Sequence, residues 1–313
     1  MTYKQWLALA PRTADQKKSY KLKLLKQNLL GTGMVILPFL GFLCFTLFPM
    51  LLSLLIAFSN LRSALITEAT FDAGFSNFIY ILKDEYTWKA MRTTLVYSLA
   101  VFINLAVSIF LANIMNKKVF GKKFWLIVFF LPQVFSSVAT SMMWRWMLAD
   151  TGVVNTILVK LGMERINFFT DARYYILAVG IISLWQNGTN IVILLSAFAQ
   201  VNQSLQEAAQ LDGARESQVF WKITFPQLTP TIFYLFTMNL ITALQEQAIF
   251  QLINTTATGP NFWGLSLTYQ MYRLMGVNIQ YGLSCAMSWF IGIFILIITR
   301  INFKLSEKWV CYD

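Results

Sequence analysis

Histidine is absent from all 313 residues. That removes imidazole, the usual group for acid–base work near neutral pH and the commonest metal ligand. Charge is also scarce: Asp, Glu, Lys and Arg together make up 12% of the chain, about half the roughly 25% of ordinary soluble domains. So little charge cannot cover a water-facing surface on a chain this long. The three cysteines (Cys44, Cys285 and Cys311) are scattered and odd in number, without a CxxC pair, so neither a disulfide framework nor a zinc site fits. No G-x-x-x-x-G-K-[ST] run occurs, which excludes a P-loop for ATP phosphates. What is abundant is apolar: 57% of residues are hydrophobic and the mean hydropathy is +0.57. Soluble enzymes, secreted scaffolds and disordered tails are set aside, leaving an all-α, polytopic membrane protein.

A membrane helix needs about 20 mostly apolar residues to cross about 30 Å of hydrocarbon. Six stretches qualify, near 33–58, 92–115, 124–148, 174–199, 230–252 and 281–302. The first follows a long basic segment, exceeds the length of a signal-peptide core and lacks an A-x-A-like cleavage site, so it reads as a retained helix. This divides the chain into a basic segment 1–32, a six-helix transmembrane domain 33–302 with a polar loop at about 202–230, and a short tail 303–313.

With the N-terminus inside, 16 of the 25 Lys and Arg residues fall on the inner side and 9 on the outer. The asymmetry places both termini in the cytoplasm, and the KKVFGKK turn at 117–123 is its sharpest local sign. The formal net charge of +11 therefore reads as a topology signal and a lipid-attracted flank. No base-stacking or recognition module accompanies it, so nucleic acid is not an expected partner.

Hydrophobicity drops sharply between the fourth and fifth stretches. In VNQSLQEAAQ, Asn202 or Ser204 offers an N-cap with Gln, Glu and Ala as helix formers behind it. Glu207 is expected near the start of that helix, where the dipole favours an anion. Asp212-Gly213 permits a sharp turn. A second helical stretch follows, with Val219, Phe220 and Ile223 forming an apolar stripe, and Pro226 and Pro230 are expected to end it before the next span.

Glu207-Ala208-Ala209, three residues, Gly213, nine residues, Ile223 and then Pro226 resembles the EAA loop of ABC-importer membrane subunits, over about 24 residues in a loop before the penultimate span. The resemblance extends over most of the chain and is similar to the carbohydrate-uptake branch. FFLPQVFSSVATSMMWRWMLADTGVVN (129–155) resembles that branch's third span and the loop after it, with its LP, W-x-W and G-x-x-N elements. Phe75-Ser76-Asn77-Phe78 resembles its G-x-x-N-F element, although the glycine stands earlier, at Gly74. Thr258-Gly259-Pro260, Tyr269, Tyr272 and YGLSCAMSW (281–289) resemble the end of the maltose- and glycerol-phosphate-type first permease subunit.

The resemblance implies the type I ABC importer fold and a subunit that is not itself an enzyme. It implies a heterodimer with a second permease, two cytoplasmic ATPase subunits that hold ATP and Mg while this chain binds no cofactor, an extracytoplasmic sugar-binding protein and a bacterial inner-membrane location. The loop would be the coupling helix, with Glu207, Ala208, Ala209, Asp212, Gly213, Ala214, Phe220 and Pro226 as its coupling residues. Glu207 would meet a basic residue of the ATPase, the alanines would allow close approach and Gly213 would set the bend.

For the pathway, polar residues inside spans are the candidates, because their burial is costly. Gln186, Asn187 and Asn190 fall at i, i+1 and i+4, and Asn239, Thr242 and Glu246 follow i, i+3, i+7 with Gln245 beside them. Trp185 and Tyr234 could serve as sugar platforms. For the Gln186 cluster two readings stand, path lining and interhelical glue. Glu246, the one acidic residue inside a predicted span, points to function. Ser136, Ser137, Thr140 and Ser141 suggest close helix packing, and Arg145 is expected at the outer interface. A polyol, glycerol phosphate or other polar cargo is the alternative to a sugar. A secondary transporter fits less well, since it calls for intramembrane acid or His relays or for broken helices in paired repeats.

Overall fold

The structure, a computed structural model, describes residues 28–311 apart from Leu30, Ala64 and Lys118. Lys118 and the basic residues Lys4, Arg12, Lys17, Lys18, Lys21, Lys23 and Lys26, on which part of the charge asymmetry rests, lie outside the described residues. The chain divides into two compact units, Met1–Ile56 and Ala57–Asp313. Among the described residues every regular element is helical.

Among the described residues three helices are long and apolar enough to cross a membrane: α1 (Gly31–Ala57), then α3 (Glu85–Asn116) and α14 (Tyr281–Ser306). Short α2 (Ser76–Lys83) precedes α3. The other predicted spans differ from the sequence expectation. The third is two helices, α4 (Lys122–Val134) and α5 (Ser137–Met147), bent by 101°. The fourth is α7 (Ala172–Trp185) and α8 (Gly188–Phe198), bent by 50°, and the span count reaches five if each pair is one span. α6 (Val153–Lys160) lies between the pairs.

Local chemistry explains both breaks. Pro132 near the end of α4 cannot donate to the helix ladder. Phe135 and Ser136 are extended, and Ser136 starts α5 by accepting from the Ala139 amide at 3.2 Å. At the second break Gln186 and Asn187 leave helical geometry. Gly188 then passes so close to α4 that a Cβ there would stand 2.4 Å from the Phe129 carbonyl oxygen. Only glycine permits that approach.

The polar loop holds α9 (Gln203–Leu211) and the four-residue α10 (Glu216–Val219). A π-helical turn, Phe220–Thr224, joins α10 to α11 (Phe225–Leu244). Pro226 and Pro230 do not end this helix, contrary to expectation. Pro226 sits in the first turn of α11, where a missing N–H matters least. Pro230 leaves the Pro226 carbonyl without its ladder donor, and the Thr229 hydroxyl donates to it at 2.6 Å. With its two prolines, four threonines, Gln227 and Asn239, α11 is less apolar than the three long helices. It stops at Leu244 instead of running to 252, and α12 (Ala248–Ile253) and α13 (Leu267–Gly276) follow.

α3 and α11 are the common walls of the bundle. Leu105, Ile191, Leu194, Leu228, Ile232 and Leu235 pack α3, α8 and α11 together at the end that carries the polar loop. Tyr97, Tyr175, Ile182, Phe250 and Ile253 join α3, α7 and α12 farther along. Ile81, Leu267, Leu274, Met287 and Ile291 join α2, α13 and α14. In lipid, association rests on close packing and interhelical hydrogen bonds. Asn302 Nδ2 donates to Thr237 Oγ1 at 2.7 Å across α14 and α11, and the Leu267 amide donates to Thr94 Oγ1 at 2.9 Å.

Several motif residues act as clasps. Asn77 Nδ2 donates to the carbonyls of Ala57 and Ser59, each at 2.9 Å. Gly282 passes the same segment so closely that a Cβ would lie 2.1 Å from the Ser59 carbonyl oxygen. Asn155, fully buried, donates to Ala149 and Ile166 and accepts from the Ile166 amide at 2.8 Å. Arg145 is half-buried and donates to the Leu252 carbonyl at 3.0 Å, in the last turn of α12.

Candidate functional site

Asn202 is the N-cap of α9. Its Oδ1 accepts from the Ser204 amide at 3.0 Å and from the Ser204 hydroxyl at 2.7 Å. Glu207 is the fifth residue of the helix, one turn deeper than expected, and takes a hydrogen bond from Gln203 Nε2 at 2.9 Å. At the other end the Gly213 amide donates to Gln210 and the Ala214 amide to Ala209, at 3.0 and 2.9 Å. With Gly213 at φ +84°, this is a complete Schellman stop. The pattern Glu-Ala-Ala through Gly therefore encodes a helix that ends at a fixed place and a chain that turns sharply.

Glu207, Ala208, Asp212 and Gly213 are exposed, and Ala209 and Ala214 are half-buried. Leu211 is 89% exposed beside them, an apolar group in water beyond the end of the bundle. Phe220 is different. It is half-buried and packs on Trp221, Phe225 and the Leu105–Leu235 cluster, so it anchors the loop to the bundle. Pro226 is likewise half-buried, at the root of α11. Gln206 Nε2 donates to Thr224 Oγ1 at 3.2 Å, fastening α9 to the π-turn. Lys117 Nζ meets Glu216 Oε2 at 2.7 Å, joining the turn after α3 to α10. That hydrogen bond holds the exposed Glu216 carboxyl below its ordinary pKa.

The second place is a half-open cavity of about 340 Å³ lined by α3, α4, α7, α8, α11 and α12. It gathers seven of the nine residues singled out for the path: Gln186, Asn187, Asn190, Tyr234, Asn239, Thr242 and Glu246. The α7–α8 bend means that Gln186, Asn187 and Asn190 do not share the face of one helix, and they meet at the break itself. Asn187 Nδ2 donates to the Asn104 carbonyl at 2.9 Å, Asn190 Nδ2 to Asn187 Oδ1 at 2.7 Å and Asn239 Nδ2 to Asn190 Oδ1 at 3.1 Å. The amides thus tie α3, α8 and α11 together while bordering the cavity.

Thr140 and Gln186 are linked at 3.2 Å. Glu246 sits in the gap after α11, where Oε1 accepts from the Ile249 amide at 3.0 Å. Trp185 and Gln245 do not line the cavity. Trp185 packs edge-on against Trp144 with ring centroids 5.7 Å apart, and Gln245 is exposed just beyond the end of α11.

Asn104, Gln133, Ser183 and Thr189 line the cavity and were not singled out from the sequence. A lone amide in an apolar stretch, as Asn104 is in α3, was the available signal.

Bent helix pairs, a protruding capped loop and a polar cavity inside an apolar bundle define a membrane transport subunit. The chain belongs to the binding-protein-dependent transport system inner membrane component family, whose pattern matches residues 104–307. It is 32% identical over 301 residues to the probable ABC transporter permease protein YesP of Bacillus subtilis (strain 168), covering 95% of this chain and 96% of that one. It is 28% identical to the sn-glycerol-3-phosphate transport system permease protein UgpA of Agrobacterium fabrum, covering 76% of this chain and 82% of that one. To the multiple sugar-binding transport system permease protein MsmF of Streptococcus mutans it is 29% identical, covering 89% and 95%. Among solved structures it is similar in fold to a chain of a bacterial ABC transporter that imports the acidic polysaccharide alginate, with a TM-score of 0.79 and 24% identity, covering 92% of this chain and 99% of that one.

Proposed function

We propose that this chain is one of two permease subunits of an ATP-driven importer, forming with the second permease the pathway for a saccharide. The observation that carries the reading is a mechanical one. From α10 through the π-turn to Leu244 the backbone is helical without a break over residues 216–244, a rod of about 40 Å at 1.5 Å per residue. One end is the turn after the Schellman stop, and the other carries Asn239 and Thr242 in the cavity wall. A push on α9 is thereby transmitted to the cavity as rigid-body movement, the kind of two-state switch that alternating access requires.

In this reading α9 seats on one cytoplasmic ATPase through Glu207, Ala208, Ala209, Asp212, Gly213 and Ala214, and ATP and Mg act on the ATPases, not on this chain. An extracytoplasmic binding protein delivers the cargo. Six spans, with both bent pairs and the α11–α12 segment crossing, put both termini in the cytoplasm and segments 1–32 and 303–313 beside the inner leaflet. The cavity supports a polyhydroxylated cargo, because amides and hydroxyls matched to sugar hydroxyls dominate its polar lining. A phosphorylated polyol is a second reading, favoured by the name of the UgpA relative.

The test is uptake into proteoliposomes holding both permeases and both ATPases. Radiolabelled saccharide should accumulate only with ATP and the binding protein present. Accumulation without ATP, driven by an ion gradient, would overturn the reading.

A further inference from the structure

Resting on that reading, we infer that the cavity discriminates by charge: it accepts neutral saccharides and rejects anionic ones, with Glu246 as the excluding group. The polar side chains that bound the cavity are amides and hydroxyls, such as Asn104, Gln133, Asn190, Tyr234 and Asn239, together with the Glu246 carboxyl. One ionisable acid is among them, and no Lys or Arg. Recognition of a carboxylate or phosphate calls for a cation or a fork of cationic donors, and no Lys or Arg is among the described residues that line this space. Arg145, a half-buried guanidinium, is turned instead onto the Leu252 carbonyl.

Glu246 is also held in place. Its Oε1 is fixed by the Ile249 amide at 3.0 Å, and its backbone carbonyl accepts from Ser266 Oγ at 2.7 Å. A bound anion would stand beside the Glu246 carboxyl, whose Oε1 is held by the Ile249 amide, with no cation among the described lining residues to offset it. Neutral hydroxyls meet the opposite situation. Gln133 and Tyr234 line the cavity and make no side-chain hydrogen bond among the described residues, so their polar groups are available to a sugar hydroxyl. The inference separates this chain from relatives whose names carry acidic cargo, sn-glycerol-3-phosphate and alginate.

The experiment uses the complete complex in nanodiscs without the binding protein, so that selectivity is that of the pathway alone. Binding of a panel of neutral mono- to trisaccharides and of the uronates of equal length is measured by titration calorimetry. The expected result is that uronates bind at least tenfold more weakly than their neutral counterparts. Glu246→Gln, which keeps an acceptor for the Ile249 amide while removing the charge, should close the gap to within about threefold. Gln133→Glu, at a side chain without a structural hydrogen bond, should widen it, and this serves as the readout if the Glu246 variant does not assemble. Uronates binding as well as neutral sugars, or a gap unmoved in the variants, overturns the charge inference and leaves the saccharide reading standing. Binding of neither class overturns the saccharide reading itself, and the charge inference with it.

Discussion

Single residues decide where this bundle bends and where it is fastened. Gly188 touches the backbone of α4, and a methyl there would sit 2.4 Å from the Phe129 carbonyl oxygen. Because the clash is with backbone, it cannot be relieved by a rotamer change. Gly188→Ala should cost about 1–3 kcal/mol, the scale of overpacking, read as a lower unfolding temperature of the detergent-solubilised complex. An unchanged temperature would mean that α4 and α8 are not packed as described. Asn155 fills a different role: it satisfies two carbonyls and one amide while fully buried. Asn155→Ala should leave those groups unpaired at about 1–3 kcal/mol each where water cannot reach them. In the same thermal assay Asn155→Asp should recover less than wild type, because it keeps the acceptor but loses both donors.

At the scale of elements, the loop between α8 and α11 was the most legible part of the sequence. Its signals are local: a capping Asn202, helix formers, and a glycine at the one place that needs positive φ. The cavity-lining residues were partly legible. Asn190, Asn239 and Glu246 stand out as polar groups in apolar stretches, but their meeting depends on the breaks between α7 and α8 and between α11 and α12. Average apolarity is blind to such breaks. The signals were present in Asn187-Gly188 and in Pro132 followed by Ser136, yet a 20-residue apolar window reads through them. Prolines misled in the opposite direction, because the π-turn and the Thr229 hydroxyl accommodate what Pro226 and Pro230 remove.

Two element-scale predictions follow from the loop. Gly213 is at φ +84° with open space around it, so Gly213→Ala costs backbone strain alone, about 1–2 kcal/mol. Gly213→Asn, which tolerates that region, should retain more uptake than Gly213→Ala at equal membrane levels. Equal loss in both would show that side-chain bulk, not backbone conformation, matters there. The Lys117–Glu216 pair is exposed, so its contribution is small and screened by salt. Since the Glu216 pKa is lowered in the folded chain, the pair's contribution is present above the ordinary carboxylate pKa. It is lost as pH falls through the lowered value. Hydrogen-exchange protection of the 216–219 segment, taken relative to the intrinsic exchange rate at each pH, should fall on acidification in wild type and not in Glu216→Gln.

For the whole molecule, the charge that the sequence withholds is as informative as the charge it places. Inside the bundle the cavity carries amides, hydroxyls and one carboxylate, while the water-facing loop carries Glu207, Asp212 and Glu216. A helical rod joins the two places, so the loop and the cavity should respond together or not at all. The most direct measurement is ATP-driven saccharide uptake alongside ATPase activity, in proteoliposomes rebuilt with Glu207→Ala or Gly213→Ala chains that still fold and assemble. The account predicts that uptake collapses and that stimulation of the ATPase by loaded binding protein is lost. Wild-type uptake and wild-type stimulation in both variants would contradict it.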